Sequence, residues 1–484
     1  MDLAKIENFK AAVVTVMGLG RYLQGSGLGT AKWLMRHGAQ AVITDMKDTE
    51  ELKESVAAVM EWFEKYRVMY PDRTIYQPVF VLGQHRREDF ENVDCVVQNP
   101  GVPSESEFLQ TARQHGVSIE SDVSLFFRYF RHPIVAVTGT RGKTTTTLLV
   151  ADMLKTLDEK AFAAGNIRVS PLEYLDDLLA NDASTPVVLE LSSWLLDSLP
   201  QALQELGRGP DIAVVTNVYP DHLNRYASFA DYQKSKEIIF AYQAKNQHTV
   251  LNYDHEIVHA MQTRVKGHLW WFSKGEIEGN GCLVKDGQIV FKQDGKETAI
   301  LPVAEVALVG EHNLENVLAA TCAALLRGVS VAGVAKVLRE FKGVPDRQEL
   351  VREVDEIAYI NDTAATSPDA VVAALKRFGD KEHLILICGG VDKQLEFDEL
   401  AAIIPSVAKA VIMFPGSASD ILKSKIAGKV MVHDAQSMQE AVKKARQLAT
   451  TGDVVLLSPG AASFNMFKNE FDRGEQFREE VRNL

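Results

Sequence analysis

Cysteine is scarce: the 484 residues contain four, Cys95, Cys282, Cys322 and Cys388. They lie far apart and form no CxxC pair, which argues against a disulfide framework and a zinc site and leaves buried free thiols as the expectation. Long apolar runs are missing as well. The opening MDLAKIENFKAAVVTVMGLG is too short to span a bilayer and lacks the charged-apolar-small order of a cleaved leader. No run of about 18 apolar residues occurs elsewhere, so a cytoplasmic protein without membrane insertion is expected. Basic tracts are also missing. Lys+Arg number 52 against 65 Asp+Glu, a net charge of −13, so nucleic acid is not an expected partner. Any anionic ligand has to be met by local lysines and backbone amides. No internal repeat or low-complexity linker breaks the chain.

What is present begins with length, which suggests about three domains. Residues Ile134 to Thr147, IVAVTGTRGKTTTT, form an apolar run that breaks into a glycine-rich turn. The run reads as a buried parallel strand, and Thr144 to Leu157 has helical apolar spacing. A turn between strand and helix can aim backbone N–H groups, freed by Gly139 and Gly142, at phosphate oxygens. Thr140, Arg141 and Thr145 belong to the same turn, Lys143 can reach the β- and γ-phosphates, and the Thr144 hydroxyl can hold Mg²⁺. Val137 occupies the place of the first glycine of a full P-loop, so a shortened loop is implied. The alternative is a tight turn with an exposed lysine.

Three blocks each open with a strand and glycine punctuation. The first starts at Ala11, continues through a helix near Thr30 to His37 and returns in a strand ending at Asp45, a βαβ unit. A further strand, Asp94 to Val97, ends in the turn Asn99-Pro100-Gly101. Gly18-Leu19-Gly20 is a weak dinucleotide fingerprint, and a plain turn explains it as readily as a phosphate site. Thr49 to Tyr70 reads as one amphipathic packing helix. The second block runs to about Phe341, with strands at Val187 to Leu191 and Ile212 to Val218, and Asp286-Gly287 and Asp294-Gly295 mark hairpins. The third begins near Gly343, with strands Leu384 to Cys388, Ala410 to Phe414 and Val454 to Ser458.

Several polar groups follow these strands. Glu190 stands at the carboxyl edge of the P-loop sheet, where a carboxylate can coordinate Mg²⁺. TNVYPDHLNRY offers Asn217, Asp221 and His222, and a histidine beside an acid after a strand favours function over structure. Lys236 begins a helix, and by itself reads as a solvated lysine. Gly310 to Asn316 opens another helix whose polar first turn suits a ligand, although N-capping by Asn313 explains much of the pattern.

The motifs TGTRGKTTTT, LELSSWLLD, TNVYPDHLNRY, GEHNLENVLAA, FKGVPDRQELV, NDTAATSPDA, ICGGVDKQLEF and SPGAASFNMFKNEFDRGEQF together resemble the Mur ligase family, over nearly the whole chain. GLG, NPGV and SPGAAS with Arg473-Gly474 are similar to the members that add D-glutamate to UDP-N-acetylmuramoyl-L-alanine. An Asp-Asn-Pro-Arg box typical of diaminopimelate- or lysine-adding members is absent. The resemblance implies an α/β chain of three domains: a Rossmann-like UDP-sugar domain at residues 1–132, a central P-loop ATPase-type domain with a parallel sheet at 133–341, and a Rossmann-like amino-acid domain at 342–484. It implies ATP-dependent amide formation through an acyl phosphate in cytoplasmic peptidoglycan precursor synthesis.

Site roles follow from the same resemblance. Lys143, Glu190, His222 and Lys236 would be catalytic, and Thr144, Glu190, His222 and Lys236 would serve two Mg²⁺ ions, with Lys236 carbamylated. Asn313, Asn316, Arg347 and Asp362 would join the loop 139–145 in binding ATP. Gly18, Leu19, Gly20, Asp45, Asn99, Gly101 and Asn166 would bind the UDP-sugar, and Thr366, Lys393 and Ser463 the amino acid. Small-molecule substrates and a monomer are expected. Four positions depart from the family pattern: Ala364 in place of lysine, Asp346 in place of histidine, Arg168 in place of glycine and Glu470 in place of phenylalanine. Another amide ligase of the superfamily, with a different amino acid or acceptor, and a catalytically silent nucleotide or UDP-sugar binding protein are the alternatives.

Overall fold

The computed structural model describes residues 2–103, 105–158, 160–167, 169–181, 185–221, 225–392, 395–463 and 466–484. The chain divides into two compact units, Met1–Phe341 and Lys342–Leu484.

The first unit carries two sheets. The smaller has the order Val79–Leu82, Gln40–Asp45, Val13–Met17, Cys95–Gln98, Ser118–Glu120, all parallel. Strand order reverses between Val13–Met17 and Cys95–Gln98, and such a switch point leaves a crevice at the carboxyl ends. Lys53–Met69 is the helix foreseen across 49–70, and it buries Val59 and Phe63.

The larger sheet has nine strands, with Ile134–Thr138 flanked by Val187–Glu190 and Ile212–Val215 in parallel. Every residue of Ile134–Thr138 is buried, as an apolar strand covered by helices on both faces must be. At the far edge the sheet turns antiparallel through Gly281–Lys285, Gln288–Gln293 and Lys296–Pro302. Both connecting turns are the Asp-Gly pairs read from the sequence, and Asp286, Gly287, Asp294 and Gly295 all take the positive φ that a two-residue hairpin of this type requires.

Ser26–Arg36 begins about four residues before its sequence expectation and joins the two sheets. It packs on Leu172–Ala180, where Lys32 meets Glu173 and Arg36 meets Asp176, both at 3.1 Å. The buried Asp122 carboxylate receives both the Ser26 and Ser170 hydroxyls, at 2.7 and 2.8 Å. One apolar core, from Leu3 to Val290, runs under both sheets.

The second unit is a six-stranded sheet in the order Glu349–Val354, Ile357–Asn361, Val454–Leu457, Leu384–Cys388, Ala410–Met413, Met431–Asp434, parallel except for the first pair. Separate apolar clusters fill its two faces. The carboxyl ends of Ile357–Asn361, Val454–Leu457 and Leu384–Cys388 lie side by side, which brings together the loops that start at Asp362, Ser458 and Gly389.

Candidate active site

Strand Ile134–Thr138 ends one residue before Gly139, and helix Lys143–Leu154 starts one residue after Gly142, so the phosphate loop is only 139–142. Its two glycines are required by space as well as by backbone angle. Gly142 has φ +80°, and a Cβ there would lie 2.1 Å from Asn316 Oδ1; at Gly139, with φ +150°, it would lie 1.9 Å from Thr216 Oγ1. The Thr216-Asn217 segment ties down the loop backbone. Thr140 N donates to Asn217 O at 2.9 Å, Arg141 N to Asn217 Oδ1 at 2.8 Å, and Thr216 Oγ1 to Arg141 O at 2.7 Å. Lys143 Nζ lies over the loop, donating to the carbonyls of Gly139 and Thr140 at 2.9 and 3.0 Å. Thr144 and Thr145 open the helix and are part-exposed.

Asn316 faces this loop from helix Glu311–Leu326, its Oδ1 accepting from Thr146 and its Nδ2 donating to Asn313. Asn313 is not the cap foreseen for this helix. Gly310 occupies that place, and the Asn313 amide donates instead to Val309 O at 2.8 Å, because Asn313 already lies inside the first turn.

Beneath the loop is a buried charge cluster. Glu190 is 1% exposed and receives the Asn166 amide on Oε1 at 2.7 Å, while Oε2 has no hydrogen-bond partner. Asn166, foreseen at the UDP-sugar, thus lies against Glu190. Lys236 corrects the sequence reading twice. It lies in the middle of Phe229–Ala241, and it is 1% exposed instead of solvated, because this helix packs that face against the sheet. Its Nζ reaches Thr138 Oγ1 at 3.3 Å and lies 5.2 Å from the Tyr232 ring centroid. Burial, and then the charge of Lys143, hold its amine well below the usual lysine range, against the opposing pull of Asp221, Glu190 and Asp197. Among the described residues no three of His, Cys, Asp and Glu form a ready metal cluster. His222 and Lys393 lie outside the described residues.

Gly18, Gly20, Asp45, Asn99 and Gly101 come together at the switch point of the smaller sheet. Asp45 Oδ2 accepts from Gly20 N at 3.1 Å, the Asn99 amide reaches Gly18 O at 3.3 Å, and Asn99 Oδ1 accepts from Gly101 N at 3.1 Å. Leu19 belongs to the same turn, but its side chain is in the core, so only its backbone can meet a ligand. In the second unit, Asp362 is buried with Ser458 Oγ at 2.7 Å and Gln348 N at 3.2 Å. Burial pushes its carboxyl up to about 7, although Ser458, Gln348, Arg347 and Arg377 oppose the shift. Arg347 is exposed, Thr366 half-buried, and Ser463 buried with a hydroxyl that has no partner.

A phosphate loop over a buried acid and lysine, on a sheet of this order, can be set against known proteins. Residues 137–324 match the model of the Mur ligase middle domain, and residues 346–460 that of the Mur ligase glutamate ligase domain. The chain belongs to the Mur ligase family. The UDP-N-acetylmuramoylalanine--D-glutamate ligase of Roseiflexus sp. (strain RS-1) is 41% identical over 475 residues, covering 96% of this chain and 97% of that protein. The protein of the same name from Thermoanaerobacter sp. (strain X514) is 35% identical, covering 98% and 99%. Among solved structures, the Thermotoga maritima MurF ligase in complex with ADP has a TM-score of 0.55 at 18% identity, covering 100% of this chain and 99% of that one. The UDP-N-acetylmuramate-alanine ligase MurC from the same organism has a TM-score of 0.57 at 19% identity, covering 98% and 99%. The α/β parallel-sheet architecture of this Mur ligase is thus that of its family.

Sequence reasoning missed several groups around this Mur ligase site. Tyr232 donates to or accepts from Thr140 Oγ1 at 3.0 Å and lies one helical turn before Lys236, a spacing that could have flagged it. Arg225 donates to the carbonyls of Pro100 and Val102, tying the TNVYPDHLNRY segment to the NPGV turn. No local pattern announces that contact, because the two segments are 123 and 125 residues apart.

Proposed function

We propose that this Mur ligase joins D-glutamate to UDP-N-acetylmuramoyl-L-alanine at the expense of ATP, in cytoplasmic peptidoglycan precursor synthesis. The observation that carries the reading is the stack of Lys143 and its loop above the buried pair Glu190 and Lys236, in a chain 41% identical over nearly its full length to a ligase of that name. Residues 1–132 would hold the UDP-sugar, 133–341 ATP, and 342–484 the amino acid.

The chemistry asks for these groups. A free carboxylate is a poor electrophile, so one of its oxygens attacks the γ-phosphorus, ADP leaves, and an acyl phosphate forms. The amine of glutamate then attacks the acyl carbon, loses a proton, and the tetrahedral intermediate expels phosphate. Lys143 and the loop amides offset charge on the moving phosphoryl group, and the site must exclude water or the acyl phosphate hydrolyses. The unpaired Oε2 of Glu190 fits a divalent cation, with Thr144 as a second ligand. Bound Mg²⁺ supplies charge neutralisation during phosphoryl transfer. A buried Lys236 amine, whose ammonium form burial disfavours, fits capture of CO₂, and the carbamate together with His222 would complete a second cation site.

ADP release measured across a panel of UDP-sugar acceptors and amino acids tests this reading. Release is expected only when the UDP-muramoyl-alanine acceptor, D-glutamate and ATP are all present, and is expected to vanish in Lys143→Ala. Release with a different amino acid would reassign the substrate; no release with any pair would favour a binding protein.

A further inference from the structure

Arg347 is exposed between two neighbours in the left-handed backbone region, Asp346 at φ +67° and Gln348 at φ +49°. Such a conformation is unfavourable for residues with a Cβ and persists only where the surroundings hold it. Each neighbour is held from outside the turn. Gln348 N donates to Asp362 Oδ1 at 3.2 Å, and its Oε1 accepts from Arg377 at 2.8 Å. Asp346 O accepts from Ala364 N at 3.0 Å, and its carboxylate is gripped by Arg478 Nη1 at 2.8 Å and Asn361 Nδ2 at 3.0 Å.

Arg478 belongs to the last helix, Glu470–Arg482, and the same nitrogen also meets Glu349 at 2.9 Å. Glu349 in turn accepts from Asp346 N at 2.8 Å. Gly474 gives the acid its place: a Cβ there would lie 2.4 Å from Asp346 Oδ1. Asp346 stands where the family pattern has histidine, which carries no negative charge in either protonation state and could not form this ion pair with Arg478.

We propose that Arg478 is a positioning residue for ATP: by clamping the Asp346 carboxylate it fixes the strained turn that presents Arg347 to the nucleotide. The inference rests on the reading of Arg347 as a nucleotide-binding residue. A bulk stabilising contact would affect every substrate alike, whereas a device acting through Arg347 affects the nucleotide selectively.

The test compares Arg478→Ala, Arg478→Lys, Arg347→Ala and the double Arg347→Ala/Arg478→Ala variants of the full chain. Steady-state constants are measured for ATP and D-glutamate, with thermal melts alongside. Arg478→Ala should raise KM for ATP about tenfold or more, with kcat and KM for glutamate within about twofold, and lysine should restore part of the loss. The double variant should be no worse for ATP than Arg347→Ala, because the second change removes support for a side chain already gone. If Arg478→Ala does not fold, Asp346→Asn must carry the same ATP-selective signature. A folded Arg478→Ala enzyme with normal KM for ATP, or additive losses in the double variant, would overturn the inference while leaving the Arg347 assignment standing. A normal KM for ATP in Arg347→Ala would instead overturn that assignment, and the inference with it.

Discussion

Asn166 donates its side-chain amide to one carboxylate oxygen of Glu190, and the other oxygen is buried without a hydrogen bond. An unpaired buried acceptor is costly unless a ligand completes it. Glu190→Gln keeps the shape and the bond to Asn166 but removes the charge. It should leave the fold intact, lower kcat by about 100-fold and raise the Mg²⁺ concentration needed for half-maximal rate. Asn166→Ala, which frees the carboxylate to rotate, should weaken Mg²⁺ affinity by about 10–100-fold, raising the concentration needed for half-maximal rate. A Mg²⁺ titration of ADP release checks both, and unchanged metal dependence in Glu190→Gln would remove the acid from the metal site.

Lys236 is neutral at a lower pH than an exposed lysine, since burial and Lys143 both disfavour its ammonium. Lys236→Ala should lose most activity and regain part of it with added formate or acetate, which replaces the missing carboxylate. In wild-type protein equilibrated with ¹³C-bicarbonate, a carbamate resonance should appear that is missing from the variant. An active, Mg²⁺-loaded enzyme without that resonance would exclude carbamylation.

These two sites differ in how far the sequence revealed them. Glu190 was legible because it ends an apolar strand, and strand ends in a parallel sheet point ligands out of the carboxyl edge. Lys236 was not, since its burial comes from the sheet the helix packs against and not from the helix's own spacing. The hairpins at Asp286-Gly287 and Asp294-Gly295 were legible for the opposite reason: the conformation is demanded locally. Asn313 misled because a polar residue near a helix start reads as a cap, while the actual cap, Gly310, has no side chain to advertise the role. The clamp on Asp346 joins residues 132 positions apart, beyond the reach of any local pattern.

Burial pushes the Asp362 carboxyl up to about 7, from an ordinary value of 3.8. The native state therefore keeps its proton up to about pH 7, whereas the unfolded chain releases it near 4, and stability from this group falls as pH rises between the two. Each pKa unit corresponds to about 1.4 kcal/mol. Asp362→Asn, which has no proton to release, should gain in melting temperature relative to wild type as pH rises from about 4 to 8. A constant difference across that range would show that the acid titrates normally.

Ser463 buries a hydroxyl that has no partner. Ser463→Ala should then cost no stability, and a gain of up to about 1 kcal/mol is expected from removing an unsatisfied group. If the hydroxyl meets a carboxylate of glutamate, the same variant should raise KM for glutamate far more than KM for ATP, as should Lys393→Ala. Equal effects on both constants would move the amino acid elsewhere.

The four thiols are buried, and burial raises their ionisation well above the ordinary range. A folded chain should therefore resist alkylating reagents, since the thiolate is the reactive form. Their distribution turns that inertness into a reporter. Cys95 lies in the five-stranded sheet, Cys282 in the nine-stranded sheet with Cys322 on a helix beside it, and Cys388 in the six-stranded sheet. Labelling rates followed cysteine by cysteine would time the opening of each sheet separately, with no residue altered, and would reveal whether the two sheets of the first unit unfold as one body.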